Sequence, residues 1–148
     1  MASFQIIVGS MLGGTEYVAE ACEEALIELG HHTTLHLQPK FDQIISRNQT
    51  WVICTSTHGA GEFPDNINNF VNDLKYYDKK LSTTQFLVIG IGDSSYDTFC
   101  FAAKKIEKLL LSKDCIEKIN LLTIDMQQDI DPELAAREYL NTNKDLLY

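Results

Sequence analysis

Between an apolar run at Phe4–Val8 and a helical pattern that opens near Val18, the chain carries Gly9-Ser10-Met11-Leu12-Gly13-Gly14-Thr15-Glu16. Glycines let a backbone turn tightly and bare its amides, and the start of a helix adds unpaired N–H groups at the positive end of a dipole. With the Ser10 and Thr15 hydroxyls, such a turn can satisfy a phosphate without any cationic side chain. Two better-known phosphate loops do not fit it. G-x-x-x-x-G-K-[ST] aligns with Gly9 and Gly14 but finds Thr15 where the lysine must stand. A G-x-G-x-x-G dinucleotide loop finds Met11 at its second glycine, and the second strand ends at Gln38 instead of an acid for a ribose. A terminal monophosphate is the group that remains, with a glycine-rich turn that binds nothing as the alternative.

Two more segments share this small, polar character: Thr55-Ser56-Thr57-His58-Gly59-Ala60-Gly61-Glu62 and Gly92-Asp93-Ser94-Ser95-Tyr96-Asp97. Each carries one planar side chain, His58 or Tyr96, able to flank an aromatic ring while backbone groups read its polar edge. Taken singly, either residue reads more simply as surface or packing. Together with the phosphate turn they describe a monophosphate joined to a flat ring, which is the shape of FMN.

The elements that must position these loops are legible as an alternation. Strand candidates are Phe4–Val8, Thr33–Leu37, Trp51–Cys54, Phe86–Ile91 and Ile119–Ile124, short apolar runs of the kind buried on both faces of a parallel sheet. Between them, Val18, Cys22, Ala25, Leu26 and Leu29 repeat at helical spacing, with Gly30 as a stop. Phe63, Ile67, Phe70, Val71 and Leu74 predict a second helix, and Thr98 through Leu110 a third. Asp131-Pro132, an N-cap followed by proline at N1, opens the last. Such alternation predicts one α/β domain over 1–148, a doubly wound parallel sheet with helices on both faces. Ligands in these sheets sit outside the carboxyl ends of the strands, so the loops after strands one, three and four are the place for a site.

With 148 residues and 45% hydrophobic content, the chain can bury a core without staples. The net charge of -9 disfavours nucleic acid and anionic membrane surfaces and suits either a basic protein partner or a charged surface that only keeps the chain in solution. Four cysteines are widely spaced, without a C-x-x-C pair or companion histidines, so reduced buried thiols and no metal site are expected. Phe4–Val8 is too short for a signal or membrane segment, which places the protein in the cytoplasm.

In their order along the chain, GSMLGGTE, TSTHGAGEFPDN and GIGDSSYDTFC resemble the loops of flavodoxins and of the FMN domains of diflavin reductases, and the DIDPELAAREYLN segment extends the likeness to nearly full length. The resemblance implies a five-stranded sheet in the order 2-1-3-4-5 and FMN as cofactor. It implies phosphate binding by Ser10, Leu12, Gly13, Gly14 and Thr15, with Met11 standing where a small hydroxyl residue is usual. The flavin loops would be Thr55, Ser56, Thr57, His58 and Gly59, then Gly92, Asp93, Tyr96, Phe99 and Cys100, with Tyr96 stacked on the ring. It further implies reduction by a flavodoxin or ferredoxin NADP reductase and, for a short-chain subgroup, electron supply to biotin synthase. No substrate pocket or acid–base pair is legible, so the chain reads as an electron carrier without its own substrate. The alternative is a flavin-dependent NAD(P)H:quinone or nitro reductase on the same fold, distinguished by turnover with nicotinamide alone.

Overall fold

The computed structural model describes residues 2–11 and 13–148 of the chain. Three central strands, β1 (Ser3–Gly9), β3 (Thr50–Ser56) and β4 (Gln85–Gly92), are buried along most of their length, as their largely apolar runs require. β2 (His32–His36) forms one edge and is half exposed, one residue out of step with the expected Thr33–Leu37; its histidines and threonines suit a strand covered on one side only.

All pairings are parallel, and the order is β2-β1-β3-β4 followed by the fifth position. That position is filled by two pieces. β5 (Ile116–Glu117) pairs with Gln85–Phe86, and β6 (Leu122–Asp125) pairs with Ile89–Gly92. The single strand expected at Ile119–Ile124 is therefore corrected: Ile119 leaves the ladder and buries its side chain in the core, which breaks the strand.

Helices cover both faces. α1 (Gly14–Glu28) and α4 (Pro132–Thr142) pack with Phe4, Ile6, Val8, Val52 and Leu87 on one side. α2 (Asp65–Tyr76) and α3 (Phe101–Ser112) pack with Ile7, Trp51, Ile53 and Val88 on the other. The alternation of inward side chains along each strand is what splits the core into these two layers. α4 starts as its sequence predicts, with Asp131 Oδ1 accepting from the Glu133 and Leu134 amides at 3.0 and 3.3 Å. Two helix starts lie later than expected. Phe63 precedes α2, because Pro64 holds the extended backbone before its first turn, and Thr98 precedes α3, whose first helical residue follows Cys100 at φ +54°.

Register aligns the carboxyl ends of the strands. Gly9 lies beside Thr55, Ser56 beside Ile91 and Gly92 beside Asp125, so the loops that follow open at one edge of the sheet. The chain winds outward in opposite directions from β1 and β3, and the crevice between them is the switch point of the topology.

Candidate functional site

The turn after β1 is shaped by two side chains. Ser10 Oγ accepts from the Gly13 amide at 3.0 Å, and Asn66, at the start of α2, accepts from the Ser10 amide at 2.8 Å. Asn66 Nδ2 donates in turn to the carbonyls of Val8 and Leu37, at 2.7 and 3.0 Å, so one amide side chain sews together the ends of two strands and the first turn of a helix. Gly13 stands at φ +87°, a left-handed backbone that admits glycine at little cost, and a Cβ on it would meet nothing within 4 Å. Gly14, where α1 begins, likewise has nothing within 4 Å of a Cβ, and the buried Thr15 stands in the first turn. Met11 Sδ accepts from the Asp65 amide at 3.4 Å, placing the sulfur at the start of α2. Leu12 lies outside the described residues.

After β3, His58 and Glu62 exchange backbone hydrogen bonds of 2.8 and 2.7 Å, which close the loop on itself. Three contacts then fasten the loop to the start of α3. Thr57 Oγ1 accepts from the Ala102 amide at 3.1 Å, Thr98 Oγ1 donates to the Gly59 carbonyl at 3.3 Å, and Lys105 Nζ donates to the Gly61 carbonyl at 2.6 Å. Thr55 belongs to β3 itself, 1% exposed, with its hydroxyl donating to the Ser56 carbonyl.

Two carboxylates organise the loop after β4. Asp93 accepts from the Ser95 hydroxyl and amide and from Gln127 Nε2, and these bonds hold its carboxyl below the usual range. Asp125 accepts from the Ser94 and Gln127 amides and is lowered for the same reason. Both are ionised and act as knots between the ends of β4 and β6. Cys100 lies beneath, 1% exposed, its thiol pushed up to about 11 by burial, against the opposing influence of Lys104.

These loops enclose two adjoining clefts of about 430 and 460 Å³ at the carboxyl edge of the sheet. Ser10, Met11, Gly14, Thr15 and His58 line the first, and Gly59, Gly92, Asp93, Tyr96, Phe99 and Cys100 line the second. Ser56, Thr57, Ile91 and Met126 border both, which makes one continuous trough. Gly13 and Thr55 do not line it. His58 and Tyr96 thus occupy different halves of the trough, Tyr96 with 66% of its surface exposed at the outer wall. Among the described residues, no lysine or arginine lines either half.

Sequence reasoning missed Asn66, Met126, Thr98 and Pro132. Met126 follows β6, donates its amide to the Gly92 carbonyl at 2.8 Å and presents a side chain to both clefts. It sits on the loop after the fifth strand position, beyond the three loops whose composition marks a site. Asn66 lies in a run of asparagines, Asn66-Ile67-Asn68-Asn69, and nothing in the sequence sets it apart.

A family model for flavodoxin matches residues 6–138. The MioC homolog of Pasteurella multocida (strain Pm70) is 45% identical over 135 residues, 91% of each chain. The MioC protein of Escherichia coli (strain K12) is 40% identical over 148 residues, 99% of each. Among solved structures, a single-substitution mutant of a flavodoxin from Pseudomonas aeruginosa superposes with a TM-score of 0.89 at 26% identity and 98% coverage of both chains. This chain belongs to the flavodoxin family of electron-transfer flavoproteins, and its cofactor is FMN.

The residues present fit that cofactor. A helix start with open glycines and a buried threonine supplies neutral donors for the phosphate, and the continuous trough, apolar at Ile91 and Met126 with polar backbone at Gly59 and Gly92, suits a ring that is greasy on its faces and polar at one edge.

Proposed function

We propose that this protein is a carrier that takes electrons from a flavodoxin or ferredoxin NADP reductase and passes them to an acceptor enzyme in the cytoplasm. Biotin synthase is the acceptor that the likeness to MioC-type relatives singles out. The observation that carries the reading is the trough itself: it has room for a mononucleotide, and among the described residues no hydrogen bond joins a hydroxyl or thiol of its wall to the His58 ring.

In this reading the Ser10 and Thr15 hydroxyls, with those amides of the turn that Asn66 and Ser10 do not already engage, hold the phosphate. The loops Ser56–Gly59 and Gly92–Cys100 clasp the ring, with Tyr96 as its outer wall. Bound FMN supplies reversible one- and two-electron chemistry, and the protein sets the relative stability of its oxidation states. A phosphate gripped by neutral donors, in a chain of net charge -9, leaves a negative field that opposes further negative charge on the ring and lowers its potential.

The test is reconstitution. Purified protein should be yellow and release FMN on denaturation. It should accept electrons from NADPH only when a flavodoxin reductase is added, and then reduce cytochrome c and sustain turnover of biotin synthase. Rapid NADPH oxidation without added reductase would defeat the carrier reading in favour of a flavin-dependent reductase.

A further inference from the structure

We infer that the solvent face of α3 beside the trough is a docking surface for the carboxylate-bearing face of a redox partner; the inference rests on the carrier reading above. Phe101, Lys104, Lys105 and Lys108 fall at i, i+3, i+4 and i+7, one stripe of a helix, and all four are exposed. They surround a shallow hollow of about 240 Å³. Lys104 Nζ lies 5.8 Å from the ring centres of both Phe99 and Phe101, and Phe99 lines the trough, so stripe and trough are continuous.

Nothing in the helix's own stability calls for these lysines. α1, α2 and α4 each carry an acid in the first turn, Glu16, Asp65 and Glu133, whereas α3 has none and instead places Lys104 and Lys105 in its first half, near the positive end of its dipole. Lys104 and Lys108 are like charges at i, i+4, a pairing that costs a helix a few tenths of a kcal/mol. Neither finds an acid: the ion pairs among the described residues are those of Arg137 with Glu24 and Glu28. A cationic stripe kept at some cost in an anionic chain selects an anionic partner and fixes its orientation. Seven residues of helix separate the ends of the stripe by about 10 Å. That spread, with Phe101 39% exposed at the end nearest the trough, matches several carboxylates beside an apolar spot on a protein surface better than one small anion.

The stripe is tested with charge probes. The FMN-loaded protein, reduced with dithionite and freed of excess, is mixed with ferricyanide, each electron converting one ferricyanide to ferrocyanide, and separately with hexaammineruthenium(III). The Lys104→Glu/Lys108→Glu variant is expected to reduce ferricyanide about threefold more slowly at ~0.01 M salt, where the screening length is about 30 Å, and to converge with the natural protein at ~1 M. Hexaammineruthenium(III) should shift the other way, and Lys104→Gln/Lys108→Gln should fall between. Poly-L-glutamate should slow the natural protein's reaction with ferricyanide and leave the reversed variant unaffected. Thermal midpoints no lower than that of the natural protein would show both variants folded, since acids near the start of a helix are favourable.

Equal rates and salt slopes for all three proteins would overturn the inference. So would inorganic phosphate at the same charge concentration inhibiting as well as poly-L-glutamate, which would make the stripe a small-anion site. Sedimentation showing a dimer that the reversal dissociates would replace the partner by a second copy and equally overturn it. A protein that binds FMN but reduces none of these acceptors would defeat the carrier reading itself.

Discussion

Ser10 and Asn66, 56 residues apart in the chain, meet through a hydrogen bond of 2.8 Å from the Ser10 amide to the Asn66 side chain. The phosphate turn is therefore held from outside, by a residue of the helix that follows β3. Asn66→Ala orphans the Ser10 amide and the carbonyls of Val8 and Leu37, and each unpaired buried group costs about 1–3 kcal/mol. Weaker FMN binding, by roughly tenfold or more on the same arithmetic, and a lower urea midpoint are expected. Fluorescence quenching on FMN titration measures the first, and a dissociation constant matching that of the natural protein would remove Asn66 from the site's support.

Gly90 is a matter of close approach. A Cβ there would lie 2.6 Å from Ala103 Cβ and 3.3 Å from Cys100 Sγ, so Gly90→Ala pushes α3 away from β4. Overpacking of this kind costs about 1–3 kcal/mol. Because α3 is fastened to the loop after β3 through Thr57 and Lys105, FMN affinity should fall along with stability. Denaturation and FMN titration of one preparation check both.

Thiol accessibility should be all or none. Cys22, Cys54, Cys100 and Cys115 are all buried and unpaired, and burial raises Cys100 and Cys115 to about 11 each. Cys54 is raised further by the neighbouring Cys22 thiol as well as by burial. Folded protein should give almost no reaction with a disulfide reagent near neutral pH, and urea should expose all four thiols.

Glu117 gives stability a pH dependence. Burial first, then the neighbouring Glu107 carboxyl, raises it to about 7 from its ordinary 4.5, and its Oε2 is buried without a hydrogen-bond partner. The folded chain holds this proton more tightly than the unfolded chain does. The stabilising contribution is therefore complete below about pH 4.5 and is lost as pH rises through about 7. Glu117→Gln should be more stable than the natural protein above that range and lose the advantage below it. Urea midpoints across the interval read the difference directly, and parallel curves would disprove the assignment.

Much of this molecule was legible in its residues. β1, β3 and β4 announced themselves because a strand buried on both faces has to be largely apolar, and Asp131-Pro132 announced α4 because capping is a local, side-chain affair. The fifth position was harder: Ile119 has the composition of a strand residue, and only tertiary packing draws it out of the ladder. At the site, glycines and hydroxyls mark loops wherever they cluster. Met126 and Asn66 carry no such mark, since a methionine beside a cleft and an asparagine that ties two strands acquire their roles from neighbours distant in the chain. Thr98, by its spacing the start of a helix, instead ties a loop, because Cys100 delays that helix with its left-handed backbone.

The interruption of the outermost ladder reaches beyond pairing. Its two pieces have two and four residues, and the opposite border of the sheet is a five-residue strand of histidine, threonine and leucine. Neither rim offers another polypeptide a long, flat, apolar row of free amides and carbonyls on which to stack, so this fold carries its own defence against edge-to-edge aggregation.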